Sequence, residues 1–390
     1  MKFLSNLKKK ELAGKTCLLR IDLNIKDSEL KSSGLQNNLR IQAVLPTINF
    51  LIKNGAKVVL LSHCGRPELG KWKMENGKWK AYTLKPFVRI FSKLLKTKIK
   101  FIDIFTSMYA SKDFYKVREI IKSSNNKVFL LENLRFFKGE EKNDAKFAKD
   151  LAKLGDIYIN DAFAVSHRAN ASVEAITKFI PSYAGLLLEK EINNLNEILR
   201  FTQDDNKHPF VVILGGIKIS DKIGLINSFM KKADYFLIGG GIANNFLKAQ
   251  GLPIGDSVYE DSKIEYAKKL LNNKKIILPV DYVIENRKIL DIGPNTVNFY
   301  VDIIKKAKTI IWNGPMGHAE DKRFQKASDG IKNAILKSKA FAVAGGGETA
   351  NLFNQQSTTN NQQHIFISTG GGAMLEYLSG KKLPGIKALK

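Results

Sequence analysis

The chain is poor in cysteine and in long apolar segments. Its 390 residues include two cysteines, Cys17 and Cys64, which are too few for a disulfide framework, so we expect both thiols to stay reduced. No apolar run approaches the roughly 18 residues that a transmembrane helix needs, and the start of the chain lacks the continuous apolar segment of a signal peptide. The composition therefore predicts a cytoplasmic protein without a membrane span.

Arginine is also scarce, because the 63 basic residues comprise ten arginines and 53 lysines. A chain that uses lysine by default keeps arginine mainly where a planar, bidentate group must hold a carboxylate or a phosphate. Five of the ten arginines lie in the first half of the chain and stand next to apolar runs or at their ends: Arg20, Arg40, Arg66, Arg135 and Arg168. This distribution predicts an anion-binding site that several loops build together.

The small number of acidic residues leaves a formal net charge of +26, which has two interpretations. One is a basic nucleic-acid-binding protein. The other is a surface that uses lysine by default, because the lysines are spread along the chain without an aromatic RNA-binding pattern or zinc-ligand spacing. We favour the second interpretation and expect no specific nucleic-acid partner. The charge would still steer polyanionic metabolites toward the protein.

A chain of 390 residues is too long for one ordinary core and predicts two domains. Because its apolar runs are continuous and are separated by helical patterns, each half is expected to form a doubly wound α/β unit around a parallel sheet. An amphipathic pattern at 184–200 predicts a long helix between the halves, and the polar stretch 354–363 predicts a surface excursion. The apolar runs lie at 17–25, 56–65, 98–103, 127–134 and 156–163, and at 209–216, 234–241, 275–284, 309–317, 340–348 and 364–372.

Glycine-rich clusters follow five apolar runs of the second half. In parallel sheets ligands bind beyond the carboxyl ends of the strands, where glycine lets peptide N–H groups approach a phosphate. The sequence has no G-x-x-x-x-G-K-[ST] or G-x-G-x-x-G motif, so P-loop and dinucleotide-binding folds are unsupported. A tight turn explains one such cluster, but five at one edge favour a phosphate site. The clusters lie at 215–216, 239–241, 313–315, 345–347 and 370–372.

Lys218 and Lys222 follow the first of these clusters, four residues apart. This spacing would place both ammonium groups on one face of a helix start. A solvated basic face is the plain alternative in so lysine-rich a chain. Their position after a glycine-rich strand end favours phosphate binding, because phosphoryl transfer is catalysed mainly by positioning groups and neutralising charge.

The polar residues near strand ends in the first half suit a small molecule with several negative charges. They are Arg20, Asp22, Asn24, Arg40, His63, Arg66, Asn133, Arg135, His167 and Arg168. The sequence shows no Ser/His/Asp set, cysteine nucleophile or zinc cluster. An ionised carboxylate or phosphate acting as nucleophile needs no general base, which agrees with that pattern.

Ten segments of the chain, in order, resemble the signature segments of the phosphoglycerate kinase family. The segments are LLRIDLNI, LSHCGRP, LLENLRFFKGEEKND, INDAFAVSHRANAS, ILGGIKISDKI, LIGGGIANNFLKAQG, IWNGPMG, AGGGETA, STGGGA and LPGIKAL. The resemblance covers nearly the whole chain, and it implies reversible phosphoryl transfer between 1,3-bisphosphoglycerate and ADP, in glycolysis and gluconeogenesis.

The resemblance also implies the organisation of the molecule. An N-terminal domain, residues 1–183, would bind 3-phosphoglycerate or 1,3-bisphosphoglycerate, and the tail 378–390 would return to it. An interdomain helix at 184–200 would lead to a C-terminal domain, residues 201–377, that binds ADP or ATP with Mg2+. A hinge would close the two domains, and the protein would be a monomer.

The family's functional residues carry over to matching positions of this chain. The glycerate phosphate and carboxylate would be held by Asp22, Asn24, Arg40, His63, Arg66, Arg135 and Arg168. The phosphoryl group in transfer would be stabilised by Arg40, Lys218, Lys222, Gly371 and Gly372. The nucleotide would be bound by Gly216, Lys218, Gly239, Gly240, Asn313, Gly314, Pro315, Glu320, Gly346, Gly347, Glu348 and Thr349. The magnesium ligand would be Glu348.

Some positions depart from the family's usual pattern. Glu348 stands where the family usually has Asp, so its carboxylate is one methylene further from the backbone. Phe137 and Asn170 each replace a common His, and His318-Ala319 replaces a usual Val-Phe beside the adenosine pocket. These changes leave a non-catalytic relative as an alternative. The presence of Arg40, Lys218 and Lys222 argues for the enzyme.

Overall fold

The computed structural model describes residues 1–25, 35–67, 74–75, 78–79, 82–103, 114–354 and 364–390. All but the first residue of the polar stretch predicted at 354–363 therefore lies outside the described residues. The chain forms two compact units, one of residues 1–191 with 382–390 and one of residues 192–381. The boundary falls inside one long helix.

The first unit is built on a six-stranded parallel sheet. Its strands come in the spatial order β5-β6-β2-β1-β7-β8. The central strands are buried along their whole length, which explains why they are continuous apolar runs. The strands are β1 (Thr16–Arg20), β2 (Lys57–Leu61), an antiparallel pair β3 (Met74–Glu75) and β4 (Lys78–Trp79) outside the sheet, β5 (Ile99–Ile102), β6 (Val128–Leu131), β7 (Ile157–Asn160) and β8 (Ser182–Ala184).

The helices of the first unit follow from capping and from apolar faces. Asn38 caps α2 by accepting a hydrogen bond from the Arg40 backbone N–H at 3.0 Å, and Asp144 caps α6 by accepting one from Phe147 N–H at 2.7 Å. Residues of α2 and α3 bury their apolar side chains in one core with β1 and β2. The helices are α1 (Lys9–Leu12), α2 (Leu39–Lys53), α3 (Lys85–Leu95), α4 (Tyr115–Ser123), α5 (Lys138–Glu141), α6 (Ala145–Ala152) and α7 (Leu186–Phe201).

The second unit repeats this plan with a second parallel sheet and a separate core. Its spatial order is β11-β10-β9-β14-β15-β16, which places β9 and β14 side by side in the middle. The strands are β9 (Phe210–Leu214), β10 (Tyr235–Ile238), β11 (Ile276–Ile277), an antiparallel hairpin of β12 (Tyr282–Glu285) and β13 (Lys288–Ile292) outside the sheet, β14 (Thr309–Asn313), β15 (Phe341–Gly345) and β16 (Ile365–Ser368).

Helices lie on both sides of each sheet, so the predicted pair of doubly wound α/β units is confirmed. The helices of the second unit are α8 (Ile223–Phe229), α9 (Gly240–Ala249), α10 (Ile264–Leu270), α11 (Pro294–Lys306), α12 (Lys326–Lys337), α13 (Gly347–Asn354) and α14 (Gly371–Leu378). The chain ends with α15 (Pro384–Lys387), which belongs to the first unit.

One predicted strand is confirmed only in its first part. The apolar run 275–284 contains β11 and the start of β12, and only β11 joins the sheet. Pro279 lies between the two and has no N–H to donate to a sheet. The side chains of Val283 and Ile284 are exposed, so these apolar residues belong to a surface hairpin and not to a buried strand. The sequence analysis also missed β8, which is only three residues long.

Candidate functional site

In the first unit, β1 lies between β2 and β7, and the strand order changes direction there. Strands β2, β6 and β5 lie on one side of β1, and β7 and β8 lie on the other. Ligands in open parallel sheets bind beyond the carboxyl ends of the strands at such a point. Asp22 follows β1, His63 follows β2 and Arg135 follows β6, so the topology brings these side chains to one edge of the sheet. Three of the predicted polar residues of the first half, Asp22, His63 and Arg135, therefore follow strands at the same edge of the sheet.

Asp22 organises one part of this edge. Its carboxylate accepts a hydrogen bond from the Arg40 guanidinium and one from Asn24 N–H at 3.0 Å, and His63 Nδ1 lies 4.0 Å away. Burial alone would raise the pKa of Asp22, but the Arg40 guanidinium, the hydrogen bond from Asn24 N–H and the charge of Arg20 hold it below its usual value. Asn24 extends the contact, because its side-chain oxygen accepts a hydrogen bond from Gly65 N–H at 2.9 Å.

His63 is buried and neutral at this edge. Burial, followed by the neighbouring Arg20, holds the pKa of His63 well below its usual value. Arg20 Nη2 lies 3.0 Å from His63 Nδ1, and a guanidinium can only donate, so Nδ1 accepts and Nε2 carries the proton. His63 Nε2 finds no hydrogen-bond partner among the residues that the structure describes. A buried donor of this kind marks a place where a ligand or water is expected.

Four arginines crowd together around His63. Burial, then the nearby Arg168, Arg20 and Arg66, lower the pKa of Arg135, although Glu141 partly offsets them. Arg135 donates to the backbone oxygen of Gly65 at 2.5 Å. Like charges gathered in a partly buried place repel one another, so an anion that binds among them relieves that repulsion. The structure therefore brings together Arg135 and Arg168, with Arg66 on the exposed side, as a cluster of positive charge that could bind an anion.

Arg20 is one of the five arginines predicted from the sequence to form an anion-binding site, and the structure adds the contacts that hold it in place. Arg20 Nε donates to Ser172 Oγ at 2.9 Å, and Ser172 Oγ donates to Glu140 Oε1 at 2.6 Å. This buried chain of contacts fixes the guanidinium that faces His63. The available signal was the position of Arg20 at the end of an apolar strand, two residues before Asp22.

In the second unit, the direction of strand addition reverses between β9 and β14. The glycine-rich loops after β9, β10 and β14 are bonded to one another there. Gly216 N–H donates to Pro315 O at 2.8 Å, and Gly240 N–H donates to Met316 O at 2.7 Å. A Cβ on Gly240, whose φ is +57°, would lie 2.8 Å from Gly216 N. These glycines are therefore required first by the close packing of backbone on backbone.

Two of the predicted functional glycines, Gly347 and Gly372, face open space where a side chain would be, and not the backbone of a neighbouring loop. A Cβ on Gly347 or Gly372 would meet no atom within 4 Å, whereas one on Gly371 would lie 2.6 Å from Gly346 Cα. Gly347 begins α13 and Gly372 lies in the first turn of α14, so their backbone N–H groups are among those that a helix leaves unpaired. These two positions can admit a phosphate, while Gly346 and Gly371 hold the two loops together.

A cavity of about 330 Å3 opens beside these loops. Five predicted nucleotide-binding residues line it: Gly216, Gly240, Pro315, Glu320 and Glu348. Its other wall comes from the β12–β13 hairpin, through Tyr282 and residues 288–292, which the sequence analysis missed because it placed 275–284 in the sheet. The cavity has the size and the partly apolar lining of a small-molecule site.

Asn313 and Thr349 are buried and hold neighbouring loops together. Asn313 Nδ2 donates to Gly345 O at 2.8 Å, and Thr349 Oγ1 accepts from Gly314 N–H at 2.9 Å. Gly314 has a φ of +89°, and a Cβ there would lie 2.2 Å from Gly215 O. Gly239 is packed similarly against Met316. These predicted residues do not line the cavity, and they hold together the loops beside it.

Lys218 and Lys222 do not share a helix turn, so that detail of the prediction is wrong. Lys218 precedes the 3-10 turn Ser220–Lys222, and α8 begins only at Ile223. Lys218 is exposed, whereas Lys222 is largely buried. Burial lowers the pKa of Lys222, and the carboxylates of Asp221, Glu348 and Glu260 work in the opposite direction. Lys222 and Glu348 therefore belong to one local charge cluster.

The comparisons with known proteins agree on one family. A family model described as phosphoglycerate kinase matches residues 7–381. A curated phosphoglycerate kinase of Finegoldia magna is 40% identical to this chain over 98% of this chain and 98% of its own length. The chain belongs to the phosphoglycerate kinase family. The predicted family and the predicted enzyme class, a phosphotransferase, are confirmed, and the nucleic-acid alternative is not favoured.

Two solved structures of this family extend the agreement to the fold. The phosphoglycerate kinase from Coxiella burnetii is 35% identical with a TM-score of 0.75, covering 99% of this chain and 98% of its own. The one from Pyrococcus horikoshii OT3 is 32% identical with a TM-score of 0.81, covering 100% of this chain and 98% of its own. Both span essentially the whole molecule, so the similarity includes both units.

The departures from the family's pattern fall into two groups. Phe137 stacks on Phe147 with ring centroids 5.1 Å apart, and Asn170 Nδ2 donates to Glu140 O at 3.3 Å, so both have structural contacts. His318 and Ala319 instead line the cavity, where they can act on a bound nucleotide.

Within the described ranges, no helix has the length and apolar character to cross a bilayer.

The residues near Glu348 fit a magnesium ion bound together with phosphates. Within the described part of the chain, no group of three or more His, Cys, Asp or Glu residues could cage a metal. Mg2+ is commonly held by one or two carboxylates with substrate phosphates and water. A single exposed carboxylate in the first turn of α13, on the wall of the cavity, suits that kind of binding.

Proposed function

We propose that this chain transfers a phosphoryl group reversibly between 1,3-bisphosphoglycerate and ADP, giving 3-phosphoglycerate and ATP. The observation that carries the proposal is the pairing of two sites in a member of this family: an arginine cluster around His63 on the first unit, and a glycine-lined cavity beside Lys222 and Glu348 on the second. One site suits a small polyanion and the other suits a nucleotide.

The first unit would bind the glycerate. Arginine guanidinium groups hold carboxylate and phosphate through paired hydrogen bonds, and neutral His63 offers one donor. The proposed ligands are Asp22, Asn24, Arg40, His63, Arg66, Arg135 and Arg168. Asp22 acts here by orienting Arg40 and Asn24, since its own charge would repel the substrate.

The second unit would bind the nucleotide. The adenosine would occupy the cavity, and the phosphates would lie toward the N-termini of α13 and α14. The proposed set is Gly216, Lys218, Gly239, Gly240, Asn313, Gly314, Pro315, Glu320, Gly346, Gly347, Glu348 and Thr349. Within it, buried Thr349 and Asn313 would act by holding the loops, and Glu348 would hold Mg2+ against the phosphates.

The reaction needs little chemistry from side chains beyond charge neutralisation. In the direction of ATP synthesis a β-phosphate oxygen of ADP attacks the 1-phosphoryl group, and the carboxylate of 3-phosphoglycerate leaves. The attacking oxygen is already ionised, and the P–O bond that breaks leaves its electron pair on the carboxylate, so no general base is required. Lys218, Lys222 and Arg40, with the backbone N–H groups of Gly371 and Gly372, would neutralise the charge on the transferred group. A bound Mg2+ would add to this neutralisation at the nucleotide phosphates.

An acyl phosphate hydrolyses readily, so the transfer has to exclude water. We propose that a hinge movement brings the two sites together, as the family resemblance implies. We further propose a cytoplasmic monomer. Its two cysteines, Cys17 and Cys64, are buried and are not joined in a disulfide, which suits a reducing compartment.

The deciding experiment is a coupled assay on the purified chain. We expect Mg2+-dependent consumption of ATP with 3-phosphoglycerate. Arg135→Ala is expected to raise the KM for 3-phosphoglycerate roughly 10-fold or more, because a charged hydrogen-bonding group is lost. Arg89→Ala, an exposed arginine on α3 of the same unit, is the matched control and should leave KM unchanged. Absence of turnover despite measurable nucleotide binding would contradict the proposal.

The +26 charge is assigned to general attraction of anionic substrates and not to nucleic-acid recognition. Fluorescence anisotropy with labelled single-stranded and duplex oligonucleotides tests this assignment. We expect binding only at low salt, with a steep salt dependence. Sub-micromolar binding near physiological salt would require a nucleic-acid role.

A further inference from the structure

The segment that carries Lys218 and Lys222 is tied to a carboxylate that lies 40 positions away in sequence. Glu260 Oε2 accepts a hydrogen bond from Ser220 N–H at 2.8 Å, and Glu260 Oε1 accepts one from Ser220 Oγ at 2.7 Å. Ser220 lies midway between the two lysines and begins the 3-10 turn that ends at Lys222. A two-point contact of this kind fixes both the position and the orientation of the turn.

Glu260 is itself fixed from the opposite side. Asn245 Nδ2 donates to Glu260 O at 2.8 Å, and Asn245 Oδ1 accepts from Glu260 N–H at 3.2 Å. Asn245 is fully buried in α9, the helix that begins in the glycine loop 239–241. The neighbouring Asn244 adds a third bond, from its Nδ2 to Val258 O at 2.9 Å. Two successive amides of α9 thus hold the strip 258–260.

The charges around Glu260 agree with this arrangement. Its slight burial would raise its pKa, but the hydrogen bonds from Ser220 and the nearby Lys218 hold the pKa of Glu260 below its usual value. The carboxylate is therefore ionised at neutral pH, and it lies near both lysines, since Lys222 also experiences its charge. Glu260 does not line the cavity wall that is described above.

We propose that Glu260, held by Asn245, is a positioning residue for the phosphoryl transfer. Together they form a brace from the helix of the glycine loop to the lysine segment, so that the nucleotide site and the two lysines keep one fixed spacing. This inference rests on the proposed function. It goes further by naming two residues outside the substrate and nucleotide contacts on which turnover depends.

Geometry is expected to matter because misplacing a catalytic group by about 1 Å can lower the rate about 100-fold. An ordinary helix cap would behave differently, because its loss would lower stability and leave the kcat of the folded enzyme unchanged. The distinction therefore lies between kcat and the free energy of unfolding, measured on the same variants.

The test compares Glu260→Ala, Glu260→Gln and Asn245→Ala in the full chain. Glu260→Ala is expected to lower kcat roughly 10- to 100-fold, with the KM for 3-phosphoglycerate within about twofold of wild type. Glu260→Gln keeps one oxygen acceptor and should recover part of that loss. Adding Asn245→Ala to Glu260→Ala should cost little more, because both act through one contact chain. Glu265→Gln, an exposed residue paired with Lys268, is the control and should retain wild-type kcat.

Wild-type turnover in the same assay separates the two hypotheses. If wild type does not turn over, the proposed function fails. If wild type turns over and folded Glu260→Ala retains full kcat, the brace is wrong. The brace is also wrong if kcat falls only in proportion to the unfolded fraction measured by circular dichroism. If Glu260→Ala does not fold, Glu260→Gln and Asn245→Ala decide the question by the same criteria.

Discussion

Lys222 illustrates how burial makes one residue chemically effective. Its side chain is 9% exposed, so its ammonium group has exchanged most of its water for neighbouring carboxylates. A charge in such a place acts more strongly on a nearby phosphate than the same charge in water. The exposed Lys218 lacks this advantage and should contribute more to attraction than to rate.

We expect Lys222→Ala to lower kcat by about 100- to 1000-fold while the Kd for ADP changes much less, because the charge acts mainly on the group in transfer. Steady-state kinetics and calorimetric titration with ADP measure the two effects. Lys268→Ala, on the surface of α10 in the same unit, is the control. Retention of full activity in Lys222→Ala would remove the role assigned to this residue.

Glu348 gives a second prediction at the residue scale. Glu348→Gln keeps the shape of the side chain but loses the charge that suits Mg2+, so nucleotide binding with Mg2+ should weaken several-fold. Binding of ADP without Mg2+ should change little. Titration of ADP at increasing Mg2+ concentrations measures both, with Glu376→Gln on α14 as the control. If the Mg2+ dependence of ADP binding is unchanged in Glu348→Gln, Glu348 does not hold Mg2+.

Among the elements, the start of α7 depends on a buried carboxylate. Asp161 Oδ1 accepts a hydrogen bond from Leu188 N–H at 3.1 Å. Burial raises the pKa of Asp161 from 3.8 to about 6. Because the folded state binds this proton more tightly than the unfolded state does, the carboxylate's contribution to stability falls as pH rises from about 4 to about 6 and stays low above that range.

Asp161→Asn should therefore raise the free energy of unfolding of the first unit at pH above about 6, since the amide keeps an oxygen acceptor without a buried charge. The gain is about 2 to 3 kcal/mol, from a pKa rise of roughly two units at 1.36 kcal/mol each. It should vanish below about pH 4. Urea unfolding at both pH values measures it, and Asp150→Asn at the Lys153 ion pair should show no gain. A loss of stability at neutral pH would contradict this account.

The loops before α13 and α14 provide a matched pair of glycines. Gly371→Ala would place its Cβ 2.6 Å from Gly346 Cα, so it should destabilise the second unit by about 1 to 3 kcal/mol. Gly372→Ala meets no atom and should leave stability unchanged or slightly higher. Unfolding measurements compare the two, and equal effects would show that the backbone contact does not constrain the loops.

At the scale of the whole molecule, the two ends of the chain meet on the first unit. Lys2 N–H donates to Leu389 O at 3.3 Å, and Gly385 N–H donates to Ser166 O at 2.9 Å. Leu383 and Leu389 are buried there. The tail therefore belongs to a unit whose other residues, 1–191, come from the start of the chain.

Deleting residues 382–390 should lower the free energy of unfolding of the first unit by about 3 to 6 kcal/mol, from two buried leucines at roughly 1.5 to 3 kcal/mol each. Hydrogen exchange should show reduced protection in β1 and β7. Protection in β9 and β14 should persist, because the second unit has its own core. Deletion of exposed Lys390 alone is the control. Unchanged protection in β7 would show that the tail is dispensable.

The sequence was most informative where structure is local. Continuous apolar runs predicted ten of the parallel strands because such strands are buried on both faces, whatever their partners. The prediction of one continuous strand at 275–284 failed, because part of this apolar run belongs to an exposed hairpin. The prediction that Lys218 and Lys222 share a helix turn failed, because this segment is bonded to Glu260 and α8 begins only after it. The sequence also showed no sign of the contact that holds Arg20, because its partner Ser172 lies 152 residues away. Local patterns do not record contacts of that range.

By itself, the sequence determined the α/β class, the phosphoglycerate kinase family and the identity of the charged residues, since these depend on composition, periodicity and ordered motifs. Only the tertiary structure decided which glycines leave open space and which are filled by neighbouring backbone. It also decided that Asn245 reaches Glu260 and that Glu260 reaches Ser220. The reason is physical: steric space and hydrogen-bond partners are set by chain segments that meet only after folding.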